Sequence, residues 1–373
     1  MTRTMSVGLG AAIVGAILML VGVILEPRQA LTSYLFAYAT VLTIVLGALI
    51  LVMLSYVSGA AWFTAFSDLA LAIVGALPAL AVLALPILIG VKKIYPWATI
   101  ATLPVETRGV VERKEAWLNV PFFVVRALIY LAVWTIVGEL VRRRWFDMER
   151  ARAAESSDLR PRASGLSAGG LIVVGLALTF ASFDWLMSLD PAWYSTVYGV
   201  YVFAGGFLAM LALVAVMAPR SIGPEQTSAI GKLLLTFSIF WAYIAFSQYL
   251  IIWIADVPSE VTWYLSRARG SWGVIAIVVA IGRFVIPFVL LLSRARKRNA
   301  RALAAIGALL LAMHVLDVYW LVMPALHPAG VQPSWLDAAA LLAVTGGAVA
   351  GAAWRQGRRP LAHVSTRSGE VAS

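Results

Sequence analysis

Cysteine is absent from the 373 residues. That excludes an iron–sulfur cluster, a thiolate zinc site, a disulfide or a covalently attached c-type haem held by this chain. Histidine occurs only as His314, His327 and His363, and just His314 falls in a long apolar stretch. A haem ligated by two histidines between membrane helices is therefore excluded as well, and no set of metal ligands is visible. Charge is scarce, with Asp, Glu, Lys and Arg making up 13% of the chain against about a quarter in soluble domains. Acids are fewer than bases, 18 against 29, but no base-reading motif accompanies the excess. It points to anionic lipid and loop placement rather than to nucleic acid.

What fills the chain instead is apolar: hydrophobic residues make up 62%. Stretches of about 20 apolar residues, the length a helix needs to cross the hydrocarbon core, recur ten times. They cover 6–25, 31–55, 61–90, 119–142, 166–189, 193–217, 228–254, 271–294, 301–323 and 335–354. The expected fold is an all-α polytopic membrane protein of about ten transmembrane helices. Residues 1–354 form one integral membrane domain, and 355–373 are a basic tail expected to be disordered. The third stretch is long enough to be tilted or to hold an interfacial turn. The first follows Arg3 like a secretory signal, but Arg28 stands where a cleavage site before Ala30 needs a small residue. A retained membrane helix is expected there.

Basic loops stay on the cytoplasmic side of a bilayer. With the N-terminus inside, the inner segments hold 19 Lys and Arg residues and the outer ones 8, while Arg126 and Arg283 fall within helices. Both termini are thus expected in the cytoplasm. The inner loop 143–165 mixes charges and is expected to be a solvated anchor; the outer loop 92–118, with Tyr95-Pro96-Trp97 and Trp117, is an aromatic belt or a docking surface. The fifth and seventh helices end alike, in Asp190-Pro191-Ala192-Trp193-Tyr194 and in Asp256-Val257-Pro258 followed by Trp263-Tyr264. This hints at a repeat in one direction, unlike the inverted repeats of many transporters.

A charge at the bilayer centre costs on the order of 3 kcal/mol, so every one is a functional candidate. From helix rise, Arg126 on the fourth helix and Asp184 on the fifth come about 10 and 8 Å below the outer face. They form either a structural ion pair or a polar pocket. On the ninth helix His314 and Asp317 are three apart and share a face, with Arg283 of the eighth at similar depth. These three make a proton relay or a neutralised cluster holding two helices together. Asp68 and Glu139, with Thr64, Ser67 and Thr135, would open an inner half-channel or snorkel and hydrogen-bond between helices. Tyr194, Tyr198 and Tyr201 form a stripe on the sixth helix, for packing or for clamping a ring. The polar load of the seventh helix, from Thr236 to Tyr249, points to an interior position.

The stretch Ser182-Phe-Asp-Trp-Leu-Met-Ser-Leu-Asp-Pro-Ala-Trp-Tyr-Ser-Thr-Val-Tyr-Gly-Val-Tyr201 resembles the ActF membrane subunits of alternative complex III, within the NrfD/PsrC-like superfamily. So do Phe246-Ser-Gln-Tyr through Pro258-Ser-Glu260, Gly270-Ser-Trp-Gly273, and Arg283-Phe-Val-Ile-Pro287 through Arg294. The resemblance spans roughly Tyr95 to Arg298. It implies two four-helix bundles plus two further helices, in the bacterial inner membrane. It also implies a quinol:cytochrome c oxidoreductase whose partners are a homologous quinol-oxidising membrane subunit, a periplasmic iron–sulfur subunit and haem c subunits. Those partners would supply the redox centres. Quinone sites in the superfamily commonly use a histidine of the first bundle, which has none here, and this departure favours a scaffolding or proton-conducting role. On that reading Asp68, Glu139, Arg283, His314 and Asp317 form the proton path. Two alternatives stand: a quinone or quinol site of this chain's own at Arg126, Asp184, Tyr194 and Tyr198, and a stand-alone transporter with a break at Pro287.

Overall fold

The computed structural model describes residues 2–59, 63, 66–103, 105–153, 160–217 and 223–357. Thr64 and the tail from 358 onward lie outside the described residues. The chain is an all-α multi-pass membrane protein, with no strand among the described residues. Among the described residues ten helices are long and apolar enough to cross a bilayer: α1 Arg3–Leu25, α2 Pro27–Ser58, α3 Ser67–Ile89, α4 Val120–Glu149, α5 Ser164–Leu189, α6 Tyr198–Met217, α7 Pro224–Ala255, α8 Gly270–Leu292, α9 Ala300–Ala325 and α10 Trp335–Gly357.

Packing sorts them into α2–α5, α6–α9, and the pair α1 with α10. Two four-helix bundles and an added pair therefore make up the membrane domain. Lipid offers no hydrophobic drive for helices to associate, so small residues that let backbones touch decide where they meet. Gly8, Gly15 and Gly22 of α1 face Ala350, Ala343 and Leu336 of α10, an antiparallel seam at seven-residue spacing. That seam sets the first and last described residues at one end of the bundle, called the N side below and the opposite end the far side. The bundles meet where α2 crosses α6, Gly47 against the carbonyl of Gly206 and Gly206 against Thr43.

The central helix is α2, whose apolar window is 94% buried. It touches α3, α5, α6, α9 and α10. The seventh helix is not interior as its polar content suggests: its window is 28% buried. Only the face with Ile230, Leu234, Ser238, Trp241, Gln248 and Ile252 is covered, while Tyr243 and Tyr249 look outward. Tyrosine carries an apolar ring behind its hydroxyl, so it sits on a lipid-facing surface as readily as inside.

Two spans are broken by proline. Within α3 the helix restarts at Leu77 and Leu85, each time with Pro78 or Pro86 in its first turn. The interfacial turn foreseen before the span falls partly in residues that are not described. In α8, Pro287 lacks the N–H that would bond the carbonyl of Arg283, and Ile281–Val285 widens into a π-turn. Conversely, α4 runs past Arg142 as helix to Ala153, into what sequence suggested was a loop. No breaker intervenes, and Glu139 bonds Arg143 one turn on at 2.8 Å. Tyr194 lies in the turn ahead of α6 rather than on it, so the tyrosine stripe reduces to Tyr198 and Tyr201.

A Cβ at Gly15 would come within 2.3 Å of the Ala343 backbone, whereas one at Gly10 meets nothing within 4 Å. Gly15→Leu is therefore expected to destabilise the purified protein by about 1–3 kcal/mol or more, as overpacking does. Gly10→Leu leaves the thermal midpoint unchanged; equal midpoints for both variants would contradict the α1–α10 seam.

Candidate functional site

The π-turn in α8 aims the wholly buried Arg283 at α6 and α9. Its guanidinium pairs with the Asp317 carboxylate and donates to the Gly205 carbonyl at 2.7 Å. It also lies 3.2 Å from His314 Nδ1 and 4.8 Å from the Trp241 ring. Gly205 is where α6 must lack a side chain, because a Cβ there would sit 3.0 Å from the guanidinium. The Tyr201 hydroxyl donates to the other Asp317 oxygen. An arginine cannot accept a hydrogen bond, so His314 accepts at Nδ1 and carries its proton on Nε2. That nitrogen faces the Thr43 hydroxyl at 3.1 Å and the Thr40 carbonyl at 3.3 Å on α2. Five helices thus close on one network, roughly mid-span: His314 lies about 21 Å from the start of α9 by helix rise. A void of about 10 Å³ touches Thr43, Tyr201, His314 and Asp317. That is on the order of the room one water needs.

The first bundle holds a second arginine–carboxylate pair with a different character. Arg126 grips Asp184 at both oxygens, 2.8 and 2.9 Å, and Tyr130 adds a bond of 2.8 Å. Trp117 closes the lid: its indole N–H donates to Asp184 at 2.9 Å, its carbonyl accepts from Arg126, and its ring lies 4.1 Å from the guanidinium. Phe122 covers the cation from another side at 4.2 Å. Asp184 thereby accepts four donors, which leaves it little capacity for a ligand. Sequence brought the pair together correctly; Tyr130 and Trp117, ordinary aromatics in sequence, complete it.

The other candidates are scattered. Asp68 is exposed in the first turn of α3, at the N side. Glu139 is held between Arg143 and Arg355, tying α4 to the end of α10. Tyr194 is exposed at the far side with Lys114 5.7 Å from its ring centre. Tyr198 is buried beside Trp193, away from Arg126, so the four residues suggested for a quinone head do not gather in one pocket.

Tyr198 lines something else, a cleft of about 610 Å³ in the second bundle. Tyr201, Trp241, Trp263, Tyr264, Phe284 and Trp320 wall it, and Asp317 stands at its inner end. Tyr243, Phe246 and Val285, all exposed, mark an opening between α7 and α8. Its far-side end is formed by the short helix Pro258–Ala268. There the two similar helix ends meet, with Trp193 stacked on Trp263 at 4.4 Å. Arg267 is buried beside them; burial pulls its guanidinium down to about 10, opposed by Tyr198 and the Asp190 carboxylate. Burial raises Asp190, and Arg267 counters it.

A chain of polar groups missed in sequence joins the far-side loop to α2 and α10. His327 lies 2.7 Å from Gln29, whose amide donates to Ser33 at 3.0 Å, and Ser33 donates to Asp337 at 2.6 Å. The detectable signal is Ser334 three residues before Asp337, a capping pattern. Asp337 therefore has a structural duty at the start of α10.

No protein-family model and no curated protein matches this chain. Among the described residues no group of three or more His, Cys, Asp or Glu stands ready for a metal.

Breaking a buried pair from one side strands the partner at a cost of about 3–5 kcal/mol, while replacing both by apolar residues is far cheaper. Arg126→Met is expected to collapse the yield of folded protein, and Arg126→Met with Asp184→Leu to recover much of it. Size-exclusion profiles and thermal midpoints in detergent check this; additive losses in the double variant would show that the pair acts as something other than a closed structural bridge.

Proposed function

We propose that the chain is the integral membrane subunit of a quinol:electron-acceptor oxidoreductase of the bacterial cytoplasmic membrane, and that its second bundle moves protons. The observation that carries the reading is the Arg283–Asp317–Tyr201–His314 network, buried at mid-membrane depth. A pair serving structure alone needs one cation and one carboxylate, as in the first bundle. Here a second proton acceptor, His314, shares the same guanidinium with Asp317. Protonating either changes how strongly Arg283 holds the other, and that coupling is what a relay requires.

The resemblance to ActF subunits supplies the setting. Haem c and iron–sulfur subunits and a homologous quinol-oxidising membrane subunit would carry the electrons, with this chain as scaffold and proton route and both termini cytoplasmic. Asp68 and Glu139 would serve as proton-collecting groups at the N side of the bundle. A stand-alone transporter is less well supported: the breaks in α3 and α8 occupy different positions within their bundles, where paired broken helices around one central site are expected.

Isolation of the affinity-tagged chain from its native membranes in mild detergent is expected to bring down haem-staining and iron–sulfur partners in fixed ratio. A chain that migrates alone from freshly solubilised membranes, with quinol oxidation in other fractions, would refute the assignment.

A further inference from the structure

A third buried arginine has no carboxylate of its own. Arg126 and Arg283 each grip an aspartate, whereas among the described residues no carboxylate lies within ion-pair distance of Arg267, which is 3% exposed. Its partners are the carbonyls of Trp263 and Leu321 at 3.3 Å and the Ser266 hydroxyl at 3.5 Å, all beyond the usual length of such bonds. Its Nε has no partner. Asp190 acts on it from farther off, but Lys114 draws on the same carboxylate. Spare indole N–H groups occur elsewhere, at Trp134, Trp145 and Trp185, and mark no site. A buried cation does, because a charge out of water needs an anion to replace its hydration.

Arg267 lines the far-side end of the aromatic cleft. From there the cleft runs down between α7 and α8 as far as Ile239 and Val285, about 24 and 22 Å from the far-side ends of those helices by helix rise. One leaflet of a bilayer, headgroup region included, is about 20–22 Å deep. Below Arg267 the walls are mostly apolar, and the Asp317 carboxylate on them has both oxygens engaged, by Arg283 and Tyr201. An apolar slot of a leaflet's depth beneath one unpaired cation suits an acyl chain beneath a phosphate.

We infer that the cleft between α7 and α8 holds a phospholipid of the far-side leaflet, its phosphate on Arg267 and one acyl chain passing down past Phe246 and Phe284 to Val285. The exposed Tyr243, Phe246 and Val285 mark the opening through which that chain slides in from the bilayer, while the second chain stays outside among the other lipids. The Nε and the neighbouring terminal N–H of a guanidinium form a fork that matches two phosphate oxygens. The inference stands on Arg267 and the cleft, whatever complex the chain joins and whether or not protons move through Asp317.

The test is native mass spectrometry of the delipidated full chain in detergent, titrated with dioleoylphosphatidylglycerol, with dioleoylphosphatidylcholine and with dioleoylglycerol, which has the chains but no phosphate. One tightly held phospholipid per chain is expected with either headgroup, and dioleoylglycerol about tenfold weaker or more. In Arg267→Met that difference disappears. Ala276→Phe and Ala242→Phe, which fill the cleft from α8 and α7, should each weaken both phospholipids about tenfold. Equal retention of dioleoylglycerol and phospholipid by the wild type overturns the proposal, and that comparison needs no variant to fold. So does a bound phospholipid that the filling variants hold as tightly, or one that excess inorganic phosphate displaces, which would make Arg267 a site for a free anion.

Discussion

One buried cation organises the second bundle. Arg283 has no exposed surface, and a guanidinium out of water persists only where carboxylate, carbonyl and ring faces replace its hydration. Asp317, Gly205, His314 and Trp241 do so from α9, α6 and α7. The π-turn that Pro287 brings about in α8 and the missing side chain at Gly205 both serve this placement. Through His314 the same cation reaches Thr43 and Thr40 on α2, so the central helix of the molecule is tied to it.

The two bundles solve the same problem in parallel. Each has its arginine on the third helix and its carboxylate on the fourth, and each carboxylate stands seven residues before a Pro-Ala pair, Pro191-Ala192 and Pro324-Ala325. The likeness noted between the ends of the fifth and seventh helices is thus secondary to one between the fifth and ninth. The outcomes differ in their neighbours. Trp117, Phe122 and Tyr130 seal the first pair, whereas the second is bordered by His314, a small void and the aromatic cleft.

Charges stranded in apolar runs are the most legible feature of a membrane sequence, because lipid penalises them whatever the fold. That is why both arginine–carboxylate pairs and the His314–Asp317 face could be read in advance. Their partners could not. Thr40, Thr43 and Gly205 are common residues whose role depends on which helices cross, and Tyr130 resembles any interfacial aromatic. The cleft draws its walls from α6, α7, α8, α9 and a short helix, so no local pattern announces it. Reading α7 as interior failed because hydroxyl counting ignores that Tyr243 and Tyr249 present rings to lipid.

The claim that the Arg283–Asp317–His314 network moves protons is tested most directly at Asp317. The measurement is proton uptake per quinol oxidised by the assembly proposed for this chain, purified and placed in liposomes, for wild type and Asp317→Asn, which keeps the size of the side chain and removes its charge. Turnover that persists while proton uptake falls is the predicted result. Intact turnover with unchanged proton stoichiometry would contradict the account and leave the network a structural tie between helices.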